Sequence, residues 1–306
     1  MKTTRTLLLF FALTLSLTAD GQSFGGRVET IQFKSSLTGK MLPYSVLLPP
    51  DYASPARRTQ SYPVLYLLHG LSGHYSNWLS KTKLAEYAAL YQMIIVTPEG
   101  NDGWYTDSAT VSADKYETYI VQELIPDVES RFRAIKTRAG RAVAGLSMGG
   151  YGALKFGLKY SDRFIFAASL SGALDAAARA EDDRRFAWEY LRPSILQTFG
   201  GNDSPVRAAN DLHNLARNLP VERIASLPFF YFDCGTEDGF LATNRELATI
   251  FLERKIPHEF RQLPGGHNWA YWDAQVQEVL RLAGRRMSAM GKQHLTSRLK
   301  VDVYQH

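Results

Sequence analysis

Cysteine is nearly absent: Cys234 is the single one in 306 residues. No internal disulfide can form, so an exported or an internal protein alike must be held together by its core. Cys234 follows the apolar run Pro228-Phe229-Phe230-Tyr231-Phe232 and reads as a buried small hydrophobe rather than a reactive thiol. Beyond the N-terminal segment there is no apolar run long enough to cross a bilayer, which excludes stable membrane insertion of the mature chain. Charge of one sign is not concentrated either. The formal net charge is +5 and the basic residues are scattered, so neither nucleic acid nor a membrane surface is called for as a partner. The densest basic group, Arg131, Arg133, Lys136, Arg138 and Arg141, reads as a solvated loop before a strand. Internal repeats and low-complexity stretches are missing too, which excludes a solenoid or array.

What is present is an ordinary globular composition, 45% hydrophobic, in a length that suits one large α/β domain. Lys2 and Arg5 precede an eleven-residue, mostly apolar run at 7–17, and small residues come next at Ala19-Asp20-Gly21. That pattern predicts an export signal over residues 1–21 and a secreted or periplasmic destination; a retained anchor is the competing reading. No cysteine comes after the run to support a lipoprotein anchor.

Residues 28–33 alternate like a half-buried strand, and 41–48 continue in strand character after a Thr38-Gly39 turn, as in a hairpin. Short continuous apolar runs recur at 63–69, 93–96, 142–146, 164–170 and 229–234. Such runs suit strands buried on both faces. Helical patterns lie among them, at 115–132, 151–160, 244–255 and 269–287. The alternation predicts an α/β fold with an open, mostly parallel central sheet and helices on both faces. Residues 173–226, with a helical stretch at 205–218, interrupt the rhythm and read as a helical insertion over the C-terminal edge of the sheet, where substrates bind in such folds; ordinary crossover helices are the alternative. The catalytic domain is expected over residues 28–286, and 287–306 as a polar, frayed tail.

Gly145-Leu146-Ser147-Met148-Gly149 fits G-x-S-x-G between an apolar run and a helix-forming stretch. A serine on such a strand-to-helix turn is exposed above the sheet, with helix N–H groups aimed at the reacting oxygen. The pattern alone is equally compatible with a Gly-rich turn, so the weight falls on the acids and histidines later in the chain. A serine hydroxyl needs a base, and the base needs a third group to fix its tautomer. Phe232-Asp233-Cys234-Gly235-Thr236-Glu237-Asp238-Gly239 closes a buried strand with three acids. Asp238 sits in the loop just past the strand, where a triad acid belongs; Asp233, inside the strand, is the alternative. His267 comes after Leu263-Pro264-Gly265-Gly266 in a strand-to-helix loop and is the candidate base, whereas His258 lies in a strand and His294 and His306 in the tail. The oxyanion of acyl transfer needs two donors. The N–H of Met148 is one, and that of Leu71, in His69-Gly70-Leu71-Ser72-Gly73, is the other. His69 lies upstream of the serine and reads as a structural hydrogen-bonder.

The chain resembles the esterase D-type branch of the α/β-hydrolases, with S-formylglutathione hydrolases, feruloyl and acetylxylan esterases, enterochelin-type esterases and mycolyltransferases. The resemblance is carried by the run from Tyr62 to Gly70, by Asn77-Trp78, Gly103-Trp104-Tyr105-Thr106-Asp107-Ser108, Tyr116-Glu117-Thr118-Tyr119-Ile120 and Glu123-Leu124-Ile125-Pro126, and by the stretches around Ser147, Asp238 and His267. It spans about residues 28–285 and implies an α/β-hydrolase fold with Ser147, Asp238 and His267 as triad, and Leu71 and Met148 as oxyanion donors. It also implies that Trp104 and Tyr105 line the acyl or leaving-group pocket. No metal or organic cofactor is implied. The export signal, and the lack of the cysteine-bearing segment near the oxyanion loop of the cytosolic S-formylglutathione hydrolases, favour a carbohydrate-linked ester over a glutathione thioester. The expectation is an exported serine carboxylesterase acting on a small-molecule or carbohydrate-linked ester, including feruloyl or acetyl esters. An acyltransferase, an S-formylglutathione hydrolase-like thioesterase and a non-catalytic binding protein are the alternatives.

Overall fold

The structure, a computed structural model, describes residues 26–181 and 188–302. The expected signal over 1–21 lies outside these residues. Eight strands form one sheet: β1 (Val28–Ile31), β2 (Tyr44–Leu47), β3 (Val64–Leu68), β4 (Ile94–Pro98), β5 (Arg141–Leu146), β6 (Phe166–Leu170), β7 (Phe229–Gly235) and β8 (His258–Leu263). Their order is β1-β2-β4-β3-β5-β6-β7-β8. The hairpin strand β2 runs antiparallel to β1 and to β4, while β4, β3, β5, β6, β7 and β8 are mutually parallel. The apolar runs thus become central strands. Every residue of β3, β4, β5 and β6 is buried.

Helices cover both faces. On one, α1 (Asn77–Lys81), α2 (Leu84–Ala88) and the C-terminal α11 (Trp269–Asp302) share a core with Leu65, Leu67, Ala142 and Ala144. On the other lie α3 (Tyr116–Tyr119), α4 (Ile125–Arg131), α5 (Met148–Lys159), α8 (Leu212–Arg217) and α10 (Leu241–Glu253), packed on Val64, Tyr66, Leu68 and Val143. The period of two along β3 and β5 sends alternate side chains into the two layers. The helical pattern at 115–132 is real but is interrupted by a π-helical turn at Ile120–Leu124.

Two expectations change. The helical stretch inside the insertion divides into α7 (Pro205–Asn210) and α8, because Asp211 leaves the helical region (φ −70°, ψ 109°) and its carboxylate caps the next helix at His213 N and Asn214 N. Over 287–302, where a polar tail is expected, the backbone is helical: α11 continues through it to Asp302. The insertion also holds α6 (Trp188–Phe199) and α9 (Val221–Ile224). The basic group before β5 is not merely solvated. Arg141 is buried against Glu129 at 2.5 Å, and Arg138 Nε donates to the Ser161 carbonyl at 2.7 Å, so these residues stitch loops at the base of the sheet.

Candidate active site

Ser147 stands between β5 and α5 with φ 53° and ψ −116°. A non-glycine residue at positive φ carries strain that the surroundings must hold. Here Ser147 N donates to Leu170 O, and Ala173 N and Tyr151 N donate to Ser147 O. Two glycines make the turn feasible. A Cβ on Gly145 would come within 2.4 Å of the Gly149 backbone, and one on Gly149 within 2.6 Å of the carbonyl oxygens of Leu68 and His69. Helix α5 can therefore sit directly on the sheet, with its N-terminus behind the serine.

The chain then brings two distant loops to the hydroxyl. The turn 264–268 between β8 and α11 carries His267, whose Nε2 lies 3.0 Å from Ser147 Oγ. The loop between β7 and α10 carries Asp238, whose Oδ2 lies 2.9 Å from His267 Nδ1. Phe240 N donates to the other Asp238 oxygen, Oδ1, at 2.9 Å. Burial works to raise the Asp238 carboxyl, but the bond and charge of His267 and the Phe240 N–H hold it below the usual carboxylate value. The His267 ring is packed edge-on against Trp272, centroids 4.9 Å apart, and lies 5.1 Å from Phe240. These contacts leave the imidazole one orientation, with Nδ1 toward the acid and Nε2 toward the alcohol.

Leu71 lies beside this group, since Gly70, its neighbour, would place a Cβ 3.4 Å from Ser147 Cβ. Among the described residues, neither the Leu71 N–H nor the Met148 N–H has an acceptor. The loop that carries Leu71 is held from below. His69 is buried; its Nδ1 bonds Gly70 O at 2.7 Å, and its Nε2 accepts from Gly100 N at 2.9 Å. That is the structural role expected of it. Asp102 Oδ1 accepts from Ser72 N at 2.6 Å, fixing Ser72 at φ 55°.

A cavity of about 430 Å³ opens over Ser147 and His267. Leu71, Leu146, Leu191, Phe240, Trp269 and Trp272 give it a mostly apolar wall. Trp104 and Tyr105 are not in that wall, contrary to expectation. Both are fully buried, with φ of 51° and 49°, a left-handed pair that turns the rings inward. Trp104 Nε1 donates to Ser194 Oγ in α6 at 3.0 Å, and Tyr105 OH donates to His69 O at 3.1 Å. They brace the insertion and the Leu71 loop rather than meet the cavity. The lining residues missed from the sequence are Tyr190 and Leu191 of α6, Phe240, and the tryptophans just beyond His267. Phe240 and Trp269 adjoin the motif residues, so a signal for them existed; nothing in the sequence marked Tyr190.

Asp233, the alternative acid, is also buried but faces away from this group. It accepts from Tyr231 OH at 2.8 Å and Tyr271 OH at 2.9 Å, and burial pushes its carboxyl up to about 7. His258 Nδ1 bonds Ile256 O at 2.8 Å at the start of β8. Cys234 is buried, and burial raises its thiol well above the usual range. Among the described residues no cluster of three or more His, Cys, Asp or Glu is placed to hold a metal ion, and no helix is long and apolar enough to cross a membrane.

Comparison with known proteins agrees with this architecture. Residues 35–282 match the model of a family described as "Putative esterase". An acetyl esterase of Caldicellulosiruptor saccharolyticus is 30% identical over 81% of this chain and 95% of its own. An S-formylglutathione hydrolase of Paracoccus denitrificans is 26% identical over 90% of this chain and 99% of its own. A solved ferulic acid esterase superposes with a TM-score of 0.73 at 27% identity, over 86% of this chain and 98% of that one.

Proposed function

From the premise that this chain belongs to the "Putative esterase" family and is a carboxylic ester hydrolase, we propose that it is an exported serine esterase acting through Ser147, His267 and Asp238 on acyl esters of carbohydrates. The reading rests on one observation: the His267 ring lies 3.0 Å from Ser147 Oγ and 2.9 Å from Asp238 Oδ2 at the same time. In this reading Nε2 takes the Oγ proton as Oγ adds to the ester carbonyl. The Leu71 and Met148 N–H groups receive the oxyanion. The tetrahedral species collapses with the proton passing from Nε2 to the departing alcohol, leaving an acyl-serine. Water, deprotonated by the same nitrogen, then attacks the acyl carbon and returns the serine with release of the acid. Asp238 stays ionised throughout and steadies the imidazolium.

Acetyl or feruloyl groups on sugars are the proposed substrates. The names of the acetyl esterase and ferulic acid esterase relatives support this, as do the mostly apolar wall beside the serine and the basic-then-apolar N-terminal sequence that suggests export. The deciding experiment compares wild type with Ser147→Ala on p-nitrophenyl acetate, methyl ferulate and acetylated xylan. Turnover should vanish in the variant while its circular dichroism is unchanged. Substantial turnover by folded Ser147→Ala would remove the mechanism, and activity confined to S-formylglutathione would move the substrate to a thioester.

A further inference from the structure

A second cavity, of about 490 Å³, lies beside the first and shares Leu71, Ser72 and Tyr190 with it. A substrate with its carbonyl at Ser147 would reach this space past Leu71 and Ser72, beside the Tyr190 OH–Ser72 Oγ hydrogen bond of 2.9 Å that stands where the two meet. Its volume is that of an ordinary ligand pocket, about 300–1,000 Å³. Its chemistry is unlike that of the first. Polar groups dominate, and most are tied into one network. Lys40 Nζ donates to Asp114 Oδ1 at 2.5 Å and to Tyr116 OH at 3.1 Å. Asn101 Nδ2 donates to the same Tyr116 OH at 2.6 Å. Gln197 Nε2 donates to Asp114 Oδ2 at 3.3 Å.

The network leaves particular valences open. Tyr116 OH accepts twice, so its own proton remains to be given. Among the described residues that proton has no acceptor, although Tyr116 is 1% exposed. Asp102 Oδ1 is used by Ser72 N, while Oδ2 has no donor among the described residues. Asn101 Oδ1 is likewise unused by the described residues. A buried hydroxyl with a proton to give costs free energy unless something receives it. One spare donor among spare acceptors matches a group that both gives and takes hydrogen bonds, which is what adjacent sugar hydroxyls do. The exposed ring of Tyr190 stands where both cavities meet and offers a face for the C–H side of a sugar. Among the described lining residues, the carboxylates of Asp102 and Asp114 stand against the Lys40 ammonium, a net negative set that opposes a carboxylate-bearing ligand such as a glutathione thioester.

The geometry points to this cavity as a subsite for a neutral, polyhydroxylated part of the substrate, a sugar residue carried next to the scissile ester. The inference rests on the esterase reading above and narrows its substrate class. Tyr116 and Gln197 are the residues that test it, because neither touches Ser147, His267 or the oxyanion loop. The probes are monoacetylated xylotriose, p-nitrophenyl acetate and S-formylglutathione. Tyr116→Phe should raise KM for acetylated xylotriose about 10-fold, the worth of roughly one hydrogen bond to a buried hydroxyl. Gln197→Ala, at an exposed position that does not threaten folding, should raise it about 3-fold by loosening Asp114. Both should leave kcat/KM for p-nitrophenyl acetate within about 2-fold, because that ester does not reach the second cavity. Equal losses on the two acetate esters, no change in Gln197→Ala and Tyr116→Phe on the sugar ester, or a loss confined to S-formylglutathione would each overturn the subsite. Failure of the esterase reading is separate, since it shows as p-nitrophenyl acetate turnover that survives Ser147→Ala.

Discussion

Asp238→Asn probes the site more sharply than removal of the nucleophile, because it exchanges one carboxylate oxygen for an NH2 group and changes almost no volume. Asp238 uses both oxygens: Oδ2 accepts from His267 Nδ1 and Oδ1 accepts from Phe240 N. An asparagine has one acceptor and one donor end. If its oxygen stays with Phe240 N–H, its NH2 faces His267 Nδ1. The ring then carries its proton on Nε2, aimed at Ser147 Oγ, and no lone pair is available to act as base. If the amide turns over, NH2 meets the Phe240 N–H, two donors in a buried site, at a cost of about 1–3 kcal/mol. Phe240 therefore selects the unproductive tautomer. Losing the tautomer and the charge together in a serine triad costs about 10⁴ in kcat. At 1.36 kcal/mol per decade that is about 5 kcal/mol of transition-state stabilisation. The assay is steady-state hydrolysis of p-nitrophenyl acetate, with folding checked by circular dichroism. KM should change little, since the carboxylate does not line the cavity. A variant that keeps more than a tenth of wild-type kcat would refute the assignment of Asp238 and the tautomer argument together.

Three further outcomes are expected of other buried positions. Glu117→Gln removes the counter-charge of Lys155, which is fully buried 2.8 Å from Glu117 Oε2 and already lowered by burial to about 8; a loss of about 3–5 kcal/mol is expected in urea unfolding. Gly149→Ala drives a methyl to within 2.6 Å of two carbonyl oxygens of the strand end and should cost about 1–3 kcal/mol in the same measurement, together with activity, because α5 must shift behind Ser147. Asp233 is held protonated up to about 7 in the folded state, whereas the unfolded chain ionises near 3.8, so the unfolded state binds fewer protons between those values and stability falls as pH rises through that window. Asp233→Asn should remove that component, so that the melting temperature of wild type relative to the variant drops between pH 4 and pH 7; parallel profiles would refute the burial argument.

How much of this was written in the chain depends on what fixed each residue. The convergence of Ser147, Asp238 and His267 was legible because the chemistry proposed for them restricts their type, and close packing restricts the glycines beside them. Gly145 and Gly149 mark the serine turn, and Gly265 and Gly266 mark the approach of His267. The strands of the sheet were legible because burial on both faces leaves runs of apolar residues with no other explanation. Helix α8 was blurred into α7 because Asp211 is an ordinary residue in a helical pattern until its side chain is seen capping the next turn.

The error over Trp104 and Tyr105 has a different origin. The pair stands next to Gly103 in a loop near the site, and aromatics in such a place suggest a binding wall. Side-chain direction, however, is set by backbone angles, and both residues adopt positive φ, which composition does not announce. The rings turn inward, and a carbonyl and a hydroxyl satisfy their polar ends. Of the aromatics that do stand at the cavity, Tyr190 comes from the insertion, whose register no catalytic requirement constrains. Its hydroxyl donates to Ser72 Oγ at 2.9 Å, on the same loop that Asp102 and Tyr105 hold from the other side. The proposed catalytic residues are thus specified by the reaction, while the cavity wall is specified by whatever loop the scaffold lays across them. On the subsite proposed above, specificity lies in α6 and the Asp102–Tyr116 region, where mutation is expected to change the alcohol recognised without touching the serine.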